Sequence, residues 1–180
     1  IYRKKSSFND DIYITGNIGD AYLGLTIIKK KNNFGKYNEY FKKKYYEPDL
    51  QSKISLHLKK IASSSIDVSD GLGQDLQHIC LNSKCGALVD LNLLPLSPFC
   101  KNLLMKKRIK LTEIFSKGDD YQILFTSKPK NRSKIFSLSK KLNKKISRIG
   151  YIKKGRNIMF KYNMKNFSIK GKKMGYIHNF

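Results

Sequence analysis

The chain has 180 residues, of which 40% are hydrophobic and 12% aromatic, and these values suit a single domain with a hydrophobic core. No segment is apolar enough to predict a membrane span, and the N-terminus has no signal-peptide pattern, so we expect neither a membrane protein nor a secreted one. The 37 basic residues outnumber the 13 acidic ones and give a formal net charge of +24.

This charge has two interpretations. A nucleic-acid or anionic-membrane partner is one, and a general preference for Lys in the sequence is the other. The basic residues are almost all Lys and are spread along the whole chain, which favours the second interpretation. Residues 36–46 interleave Tyr and Phe with lysines, a pattern of single-stranded nucleic-acid binding or of an amphipathic helix, and we favour the helix. We therefore do not expect nucleic-acid binding, although the charge should attract anionic ligands.

The cysteines are Cys80, Cys85 and Cys100, an odd number without the CxxC spacing of zinc sites. Cys80 falls on the apolar face of a predicted helix, and Cys85 precedes a predicted strand. These positions favour buried free thiols in a reducing compartment, so we expect a cytoplasmic protein.

Strands and helices alternate along the chain. The hydrophobic spacing predicts strands at residues 12–15, 66–68, 86–91, 122–126, 146–152 and 158–162, and helices at 20–28, 36–46, 50–61, 72–80, 99–107 and 129–145. Asp20 is a candidate N-cap for the first helix. The predicted fold class is α+β in a layered arrangement, with a mixed open β-sheet covered by helices, over one domain of residues 1–180.

The most informative stretch is Ser65–Leu72, which reads as a strand, a sharp turn and a helix start. Asp67 would lie at the strand end, Ser69 and Asp70 are good N-cap residues, and Gly71 loosens the turn. Two carboxylates and a hydroxyl at a strand end are hard oxygen ligands of the kind that Mg²⁺ bound to phosphates prefers. A capped helix start with carboxylates facing water is the alternative.

A second stretch, Lys117–Thr126, is a turn with two carboxylates that enters an apolar strand. Although acidic residues are scarce, five of them concentrate in these two stretches: Asp67, Asp70, Asp75, Asp119 and Asp120. Their concentration suggests that both turns use negative charge. A metal ion that bridges to a nucleotide would reconcile the carboxylates with an anionic ligand.

Several motifs together resemble those of the thiamine-monophosphate kinases. Residues 66–72, with Asp75-Leu76 and His78-Ile79, are similar to that family's metal and nucleotide motif, and 118–126 to its Gly-Glu-Asp-Tyr-Glu-Leu-Leu-Phe-Thr segment. Further similarities in the same order lie at residues 14–16, 19–20, 24–25, 95–97, 149–150 and 175–180. The resemblance therefore spans nearly the whole chain.

The resemblance implies ATP-dependent phosphorylation of thiamine monophosphate to thiamine diphosphate with Mg²⁺, by direct in-line transfer. By position in the motifs it implies Mg²⁺ ligands at Asp67 and Asp70, ATP contacts at Arg3 and Ser69, and substrate contacts at Asp119 and Tyr176. It assigns no residue to acid–base or nucleophilic catalysis.

Positions 117 and 119 depart from the family pattern, and residues 45–49 lack its second Pro and Arg. Lys117 replaces a Gly, and Asp119 replaces a Glu, which keeps the carboxylate but shortens its reach by one methylene. The resemblance also implies a homodimer for the full-length enzyme and an N-terminal Mg-ATP-binding domain that this chain lacks. We therefore expect the chain to represent the C-terminal domain and to be inactive alone.

Three other readings stay open from the sequence. One is another enzyme of the same ATP-binding superfamily, such as aminoimidazole ribonucleotide synthetase or selenophosphate synthetase. The others are a basic RNA-binding module, whose affinity would fall steeply with salt, and a folded family member without catalytic activity.

Overall fold

The computed structural model describes residues 2–167 and contains a seven-stranded sheet with helices packed on it. The helices are α1 (Asp20–Ile28), α2 (Asn38–Tyr46), α3 (Ser52–Leu58), α4 (Leu72–Ser83), α5 (Pro98–Met105), α6 (Leu111–Ser116) and α7 (Arg132–Lys141). The strands are β1 (Asp11–Thr15), β2 (Ser64–Val68), β3 (Gly86–Asp90), β4 (Gln122–Ser127), β5 (Ile146–Lys153), β6 (Ile158–Tyr162) and β7 (Lys165–Phe167). Among these described residues, no helix is long and apolar enough to cross a membrane.

The strand order across the sheet is β2-β4-β1-β5-β3-β6-β7. Neighbouring strands run antiparallel except β3 and β6, which are parallel, and β2 lies at one edge. The sheet is therefore mixed and open, and the predicted fold class is confirmed.

Helices cover both faces because neighbouring strand residues point to opposite sides. Ile12 and Ile14 of β1 join the larger core cluster, to which α1, α4, α5 and α6 contribute. Tyr13, between them, stacks on Phe125 of β4 with 5.2 Å between ring centroids, and α3 and α7 cover that side. Successive residues of β1 thus face two different cores.

The strands and helices predicted from the sequence are present, with shorter third and seventh helices than expected. Helix α6 and strand β7 were not predicted. Helix α6 has six residues and β7 three, which is too short for a periodic pattern to emerge.

The aromatic and basic segment 36–46 is helical, as predicted. Phe41 of α2 is fully buried, and its carbonyl oxygen lies 2.2 Å from the position that a Cβ on Gly24 of α1 would occupy. Gly24 therefore permits the close approach of these two helices. The aromatic ring of Phe41 serves the core and is not available to a base.

The prediction of buried free thiols is confirmed, because Cys80, Cys85 and Cys100 are all buried and unbridged.

One buried carboxylate anchors α7 and β5 to β1. Asp11 accepts hydrogen bonds from Arg132 at 2.7 and 2.8 Å and from Arg148 at 3.2 Å. Burial raises the pKa of Asp11, but the two guanidinium groups outweigh burial and hold this pKa below its usual 3.8. The charged carboxylate is therefore favoured in the folded chain.

We expect Asp11→Asn to lower the free energy of unfolding at pH 7 by about 1–2 kcal/mol, since both guanidinium groups are half exposed. A depressed pKa contributes stability above the unfolded-state value, and this contribution is lost as pH falls through the folded-state value. The difference between the variant and the parent chain should therefore narrow below about pH 4 in urea denaturation. Asp90→Asn is the control, because the Asp90–Lys161 pair is longer, at 4.0 Å. A difference that stays constant down to pH 3 would contradict the assignment.

Candidate functional site

Strand β2 carries an exposed carboxylate at the edge of the sheet. Ile66 and Val68 are buried, whereas Asp67 between them points to solvent. Within residues 2–167, the Asp67 carboxylate accepts no hydrogen bond and forms no ion pair. The carboxylate is therefore not committed to holding the fold together.

Arg3 and Asp67 line one open hollow of about 350 Å³. Ser65 and Ile66 of β2, Ser55 and Leu58 of α3, and Ile123 of β4 complete its lining. The chain start is held here because Ser65 N–H donates to the carbonyl oxygen of Tyr2 at 3.2 Å. Arg3 and Asp67, which are 64 positions apart in sequence, thus share one hollow. Their predicted roles around one nucleotide require this proximity.

The turn after β2 differs from the prediction. The N-cap of α4 is Gly71, with φ 124° and no side-chain cap, so Ser69 and Asp70 are not the N-cap residues. Instead, Asp75 reaches back from the first turn of α4, and its Oδ2 accepts the N–H groups of Asp70 and Gly71, both at 3.2 Å. A carboxylate within the helix replaces a cap in front of it, as in a capping box.

The apolar face predicted for this helix is confirmed, because Leu72, Leu76, Ile79 and Cys80 are all buried.

Asp70 belongs to a small cluster of metal-ligating groups. Ligand atoms of Asp70, Asp75 and His78 all lie within 4.8 Å of one another, and Gln74 Nε2 also donates to Asp70 Oδ2 at 3.0 Å. Burial raises the pKa of Asp75 to about 6, the charge of Asp70 adds to the rise, and the backbone N–H groups oppose it. The motif resemblance includes His78 but implies no role for it; its spacing of three residues from Asp75 places both on one helix face.

The two carboxylate stretches touch through their backbones. Asp119 N–H donates to the Ser69 carbonyl and Tyr121 N–H to the Val68 carbonyl, each at 3.0 Å. A Cβ on Gly118 would lie 1.8 Å from the Ser69 carbonyl oxygen, so the contact requires glycine there. The structure therefore sets Asp119 directly beside the Ser69–Asp70 turn.

Asp119 is held at φ 72°, in the left-handed region that Asp tolerates better than most residues. Burial raises the pKa of its carboxyl, Asp70 adds to the rise, and Lys29 opposes it. Within the described chain, the Asp119 carboxylate forms no hydrogen bond or ion pair.

Asp120, by contrast, serves the fold. It is buried, and its carboxylate accepts the N–H groups of Gly19 at 2.7 Å and Ala21 at 3.3 Å at the start of α1. The N-cap of α1 is Gly19 and not Asp20, which corrects that prediction. The carboxyl oxygens of Asp75 and Asp120 thus hold backbone turns, which leaves the other acids of the two stretches as ligand candidates.

The structure brings five of the six predicted site residues to one edge of the sheet: Arg3, Asp67, Ser69, Asp70 and Asp119. Except for Asp70, their side chains make no hydrogen bond or ion pair within residues 2–167. Tyr176 lies outside the described residues.

Comparison with known proteins gives a consistent picture. The sequence profile described as "AIR synthase related protein, C-terminal domain" matches residues 9–163. A thiamine-monophosphate kinase of Buchnera aphidicola subsp. Schizaphis graminum is 36% identical over 168 residues, which cover 88% of this chain and 50% of that protein. The Haemophilus influenzae protein of the same name is 33% identical and covers 84% of this chain and 46% of its own length.

Solved structures agree. The crystal structure of thiamine-monophosphate kinase from Stenotrophomonas maltophilia K279a has a TM-score of 0.79 and 28% identity, and covers 92% of this chain and 53% of that one. The structure of AaThiL complexed with AMPPCP and TMP has a TM-score of 0.78, but at 22% identity it supports the fold alone; it covers 97% of this chain and 53% of that one. The chain spans about half the length of the relatives it matches.

The raised pKa of Asp75 predicts a pH-dependent stability. A carboxyl with a raised folded-state pKa contributes stability that is fully present below its unfolded value near 4 and is lost as pH rises through about 6. The stability of the parent chain relative to Asp75→Asn should therefore fall between about pH 4 and pH 6. Thermal unfolding across this range measures it, with Asp90→Asn as the control. A pH-independent difference would show that the carboxyl does not titrate there.

Proposed function

This chain belongs to the family of AIR synthase related proteins, whose C-terminal domain it matches, and on that premise we propose that it is the C-terminal domain of a thiamine-monophosphate kinase. The proposed reaction is the transfer of a phosphoryl group from ATP to thiamine monophosphate, which yields thiamine diphosphate. The observation that carries the proposal is the set of uncommitted polar side chains on and beside the turn after β2: Arg3, Asp67, Ser69 and Asp119.

The relatives support this choice over the other readings. Several curated proteins that match most of this chain are named thiamine-monophosphate kinase, and AaThiL, which shares the fold, was solved with AMPPCP and TMP. The buried aromatic ring of Phe41, in the segment most suggestive of RNA binding, weighs against an RNA-binding module.

We assign Mg²⁺ binding to Asp67 and Asp70. Their oxygens are the hard ligands that this ion prefers, and Asp67 has no competing partner among the described residues. The ion, when bound, would neutralise charge on the phosphates. Asp75 would hold the turn, because its carboxylate accepts the backbone N–H groups of Asp70 and Gly71. Gln74 would hold the Asp70 side chain, because its amide donates to the Asp70 carboxylate.

The remaining residues would bind and orient the substrates. The Arg3 guanidinium, on the rim of the hollow, would contact ATP phosphates, and the Ser69 hydroxyl would donate to the nucleotide. Asp119 and Tyr176 would hold thiamine monophosphate, with Tyr176 stacked on it. In-line transfer needs positioning and charge neutralisation more than covalent chemistry, so no residue is assigned as a nucleophile.

The site would be incomplete in this chain alone. We propose that an N-terminal domain supplies further Mg-ATP ligands, that the complete enzyme is a homodimer in the cytoplasm, and that residues 1–180 alone are inactive. ATP-dependent formation of thiamine diphosphate by the complete gene product tests the function. Failure of that product to form thiamine diphosphate, with the fold intact, would leave a non-catalytic family member.

We expect the double variant Asp67→Asn with Asp70→Asn to abolish Mg²⁺-dependent binding of ATP, since both proposed ligands lose their charge. Calorimetric titration with and without Mg²⁺ measures this. The matched control is Glu39→Gln, on α2, with Glu47→Gln, directly after it, which removes the same charge from exposed sites. Binding that survives the double variant and instead falls steeply with salt would favour the basic binding module.

The side chain at position 119, which is one methylene shorter in Asp than in the family's Glu, gives a second test. We expect Asp119→Asn to raise the KM for thiamine monophosphate by about tenfold, as for one lost hydrogen bond to a charged group. Asp119→Glu, which restores the reach of the family's residue, should bind the substrate at least as well as the parent enzyme. An unchanged KM in both variants would remove Asp119 from the substrate site.

A further inference from the structure

A second cavity, of about 210 Å³, lies on the side of the β1–α1 loop where α2 ends. We call it the lysine cavity; its lining includes Asp20, Lys44, Asp49, Gln51, Asp120 and Lys145. It shares no lining residue with the hollow of Arg3 and Asp67. Its volume exceeds what one buried water needs.

The acids of the cavity are already engaged. Asp20 accepts hydrogen bonds from Tyr40 at 2.8 Å and Ser97 at 2.7 Å. Asp120 accepts two backbone N–H groups, and Asp49 pairs with Lys144 at 2.7 Å. The cavity therefore offers little to a metal cation.

Two ammonium groups, by contrast, form no direct ion pair in the described part of the chain, although the charge of Asp20 acts on both from a longer distance. Within residues 2–167, neither Lys44 nor Lys145 forms an ion pair. Lys145 Nζ donates to the neutral amide oxygen of Asn17 at 3.1 Å, and Lys44 Nζ lies 5.9 Å from the centre of the Tyr40 ring. Burial lowers the pKa of Lys145, and the charge of Lys101 lowers it further, whereas Asp20 opposes both. An anion bound in the cavity would therefore stabilise the charged form of Lys145, which burial and Lys101 disfavour.

Gln51 provides the second, independent observation. Its side chain is only 6% exposed, and its Nε2 donates to the carbonyl oxygen of Asp49 at 2.7 Å, which fixes the orientation of the amide. Its Oε1 is buried and has no hydrogen-bond partner, the one such side-chain atom in the described part of the chain. A buried acceptor without a partner is unfavourable, so a donor at this position would stabilise the cavity.

We propose that the lysine cavity binds a small oxyanion that also carries an O–H donor, of which hydrogen phosphate is the simplest. Its charged oxygens accept from Lys44 and Lys145, and its O–H group donates to Gln51 Oε1. A small phosphorylated compound with a carbon hydroxyl offers the same chemistry. The site is separate from the proposed nucleotide site and does not depend on the proposed reaction.

Comparison of phosphate with sulfate tests the proposal. Both are tetrahedral oxyanions of similar size, but sulfate carries no proton at neutral pH. Titration calorimetry of the full chain at pH 7 in EDTA, which removes Mg²⁺, should show saturable phosphate binding and about tenfold weaker sulfate binding. Tighter binding of glycerol 3-phosphate than of inorganic phosphate would identify a phosphorylated compound as the ligand class, and the reverse order would identify the free ion.

Single substitutions locate the binding. Lys44→Gln should weaken phosphate binding by about tenfold, and Gln51→Met should abolish the preference for phosphate over sulfate. Lys43→Gln is the matched control, because Lys43 is the neighbouring residue on α2 and its ammonium is exposed next to Glu47. Asp67→Asn with Asp70→Asn should leave phosphate binding unchanged, which separates this site from the nucleotide site.

Three results would overturn the proposal: no saturable phosphate binding, equal affinity for sulfate, or binding that Lys44→Gln leaves intact. Thermal unfolding of each variant verifies that it is folded. Lys44→Gln decides the test if Gln51→Met does not fold, because Lys44 is only partly buried and its loss opens no core cavity.

Discussion

The contact between Gly118 and the carbonyl oxygen of Ser69 is the constraint on which the candidate site depends. Two stretches that are about 50 residues apart meet there with no room for a side chain. The hydrogen bonds from Asp119 and Tyr121 to the end of β2 then fix the distance between the two turns. Because backbone groups make the contact, the side chains of Ser69 and Asp119 stay available to a ligand.

Among the scarce acidic residues, some hold the fold together and others have no structural partner in the described part of the chain. Asp11, Asp20, Asp75 and Asp120 are buried and bonded, and each ties loops, helices or strands together. The exposed Asp67 and the half-buried Asp119 have no hydrogen-bond or ion-pair partner in the described residues. In a chain with 37 basic residues, an acid without a structural partner invites a functional explanation, and a metal ion bound to phosphates provides one.

Local patterns predicted the fold well, because the apolar run Ile12–Ile14 and the helical spacing of Leu72, Leu76 and Ile79 are direct signals of burial. The motif resemblance selected Arg3, Asp67, Ser69, Asp70 and Asp119, which the fold then brings to one edge. The predicted N-caps of α1 and α4 were wrong because other carboxylates accept the N–H groups at these helix starts. Asp75 does so from within α4 and Asp120 from a distant turn, and the sequence around a helix start does not reveal such partners. The lysine cavity had no signal, since Lys44, Gln51 and Lys145 meet only through tertiary packing.

The hydrogen bond from Ser65 to Tyr2 has a practical consequence for any polypeptide joined ahead of this chain. It holds the chain start against the outer edge of β2, where a bare strand would otherwise offer its backbone to other molecules. A domain or an affinity tag fused at that end therefore emerges beside Arg3, at the rim of the hollow it shares with Asp67. The choice of fusion point at this end therefore affects access to the hollow.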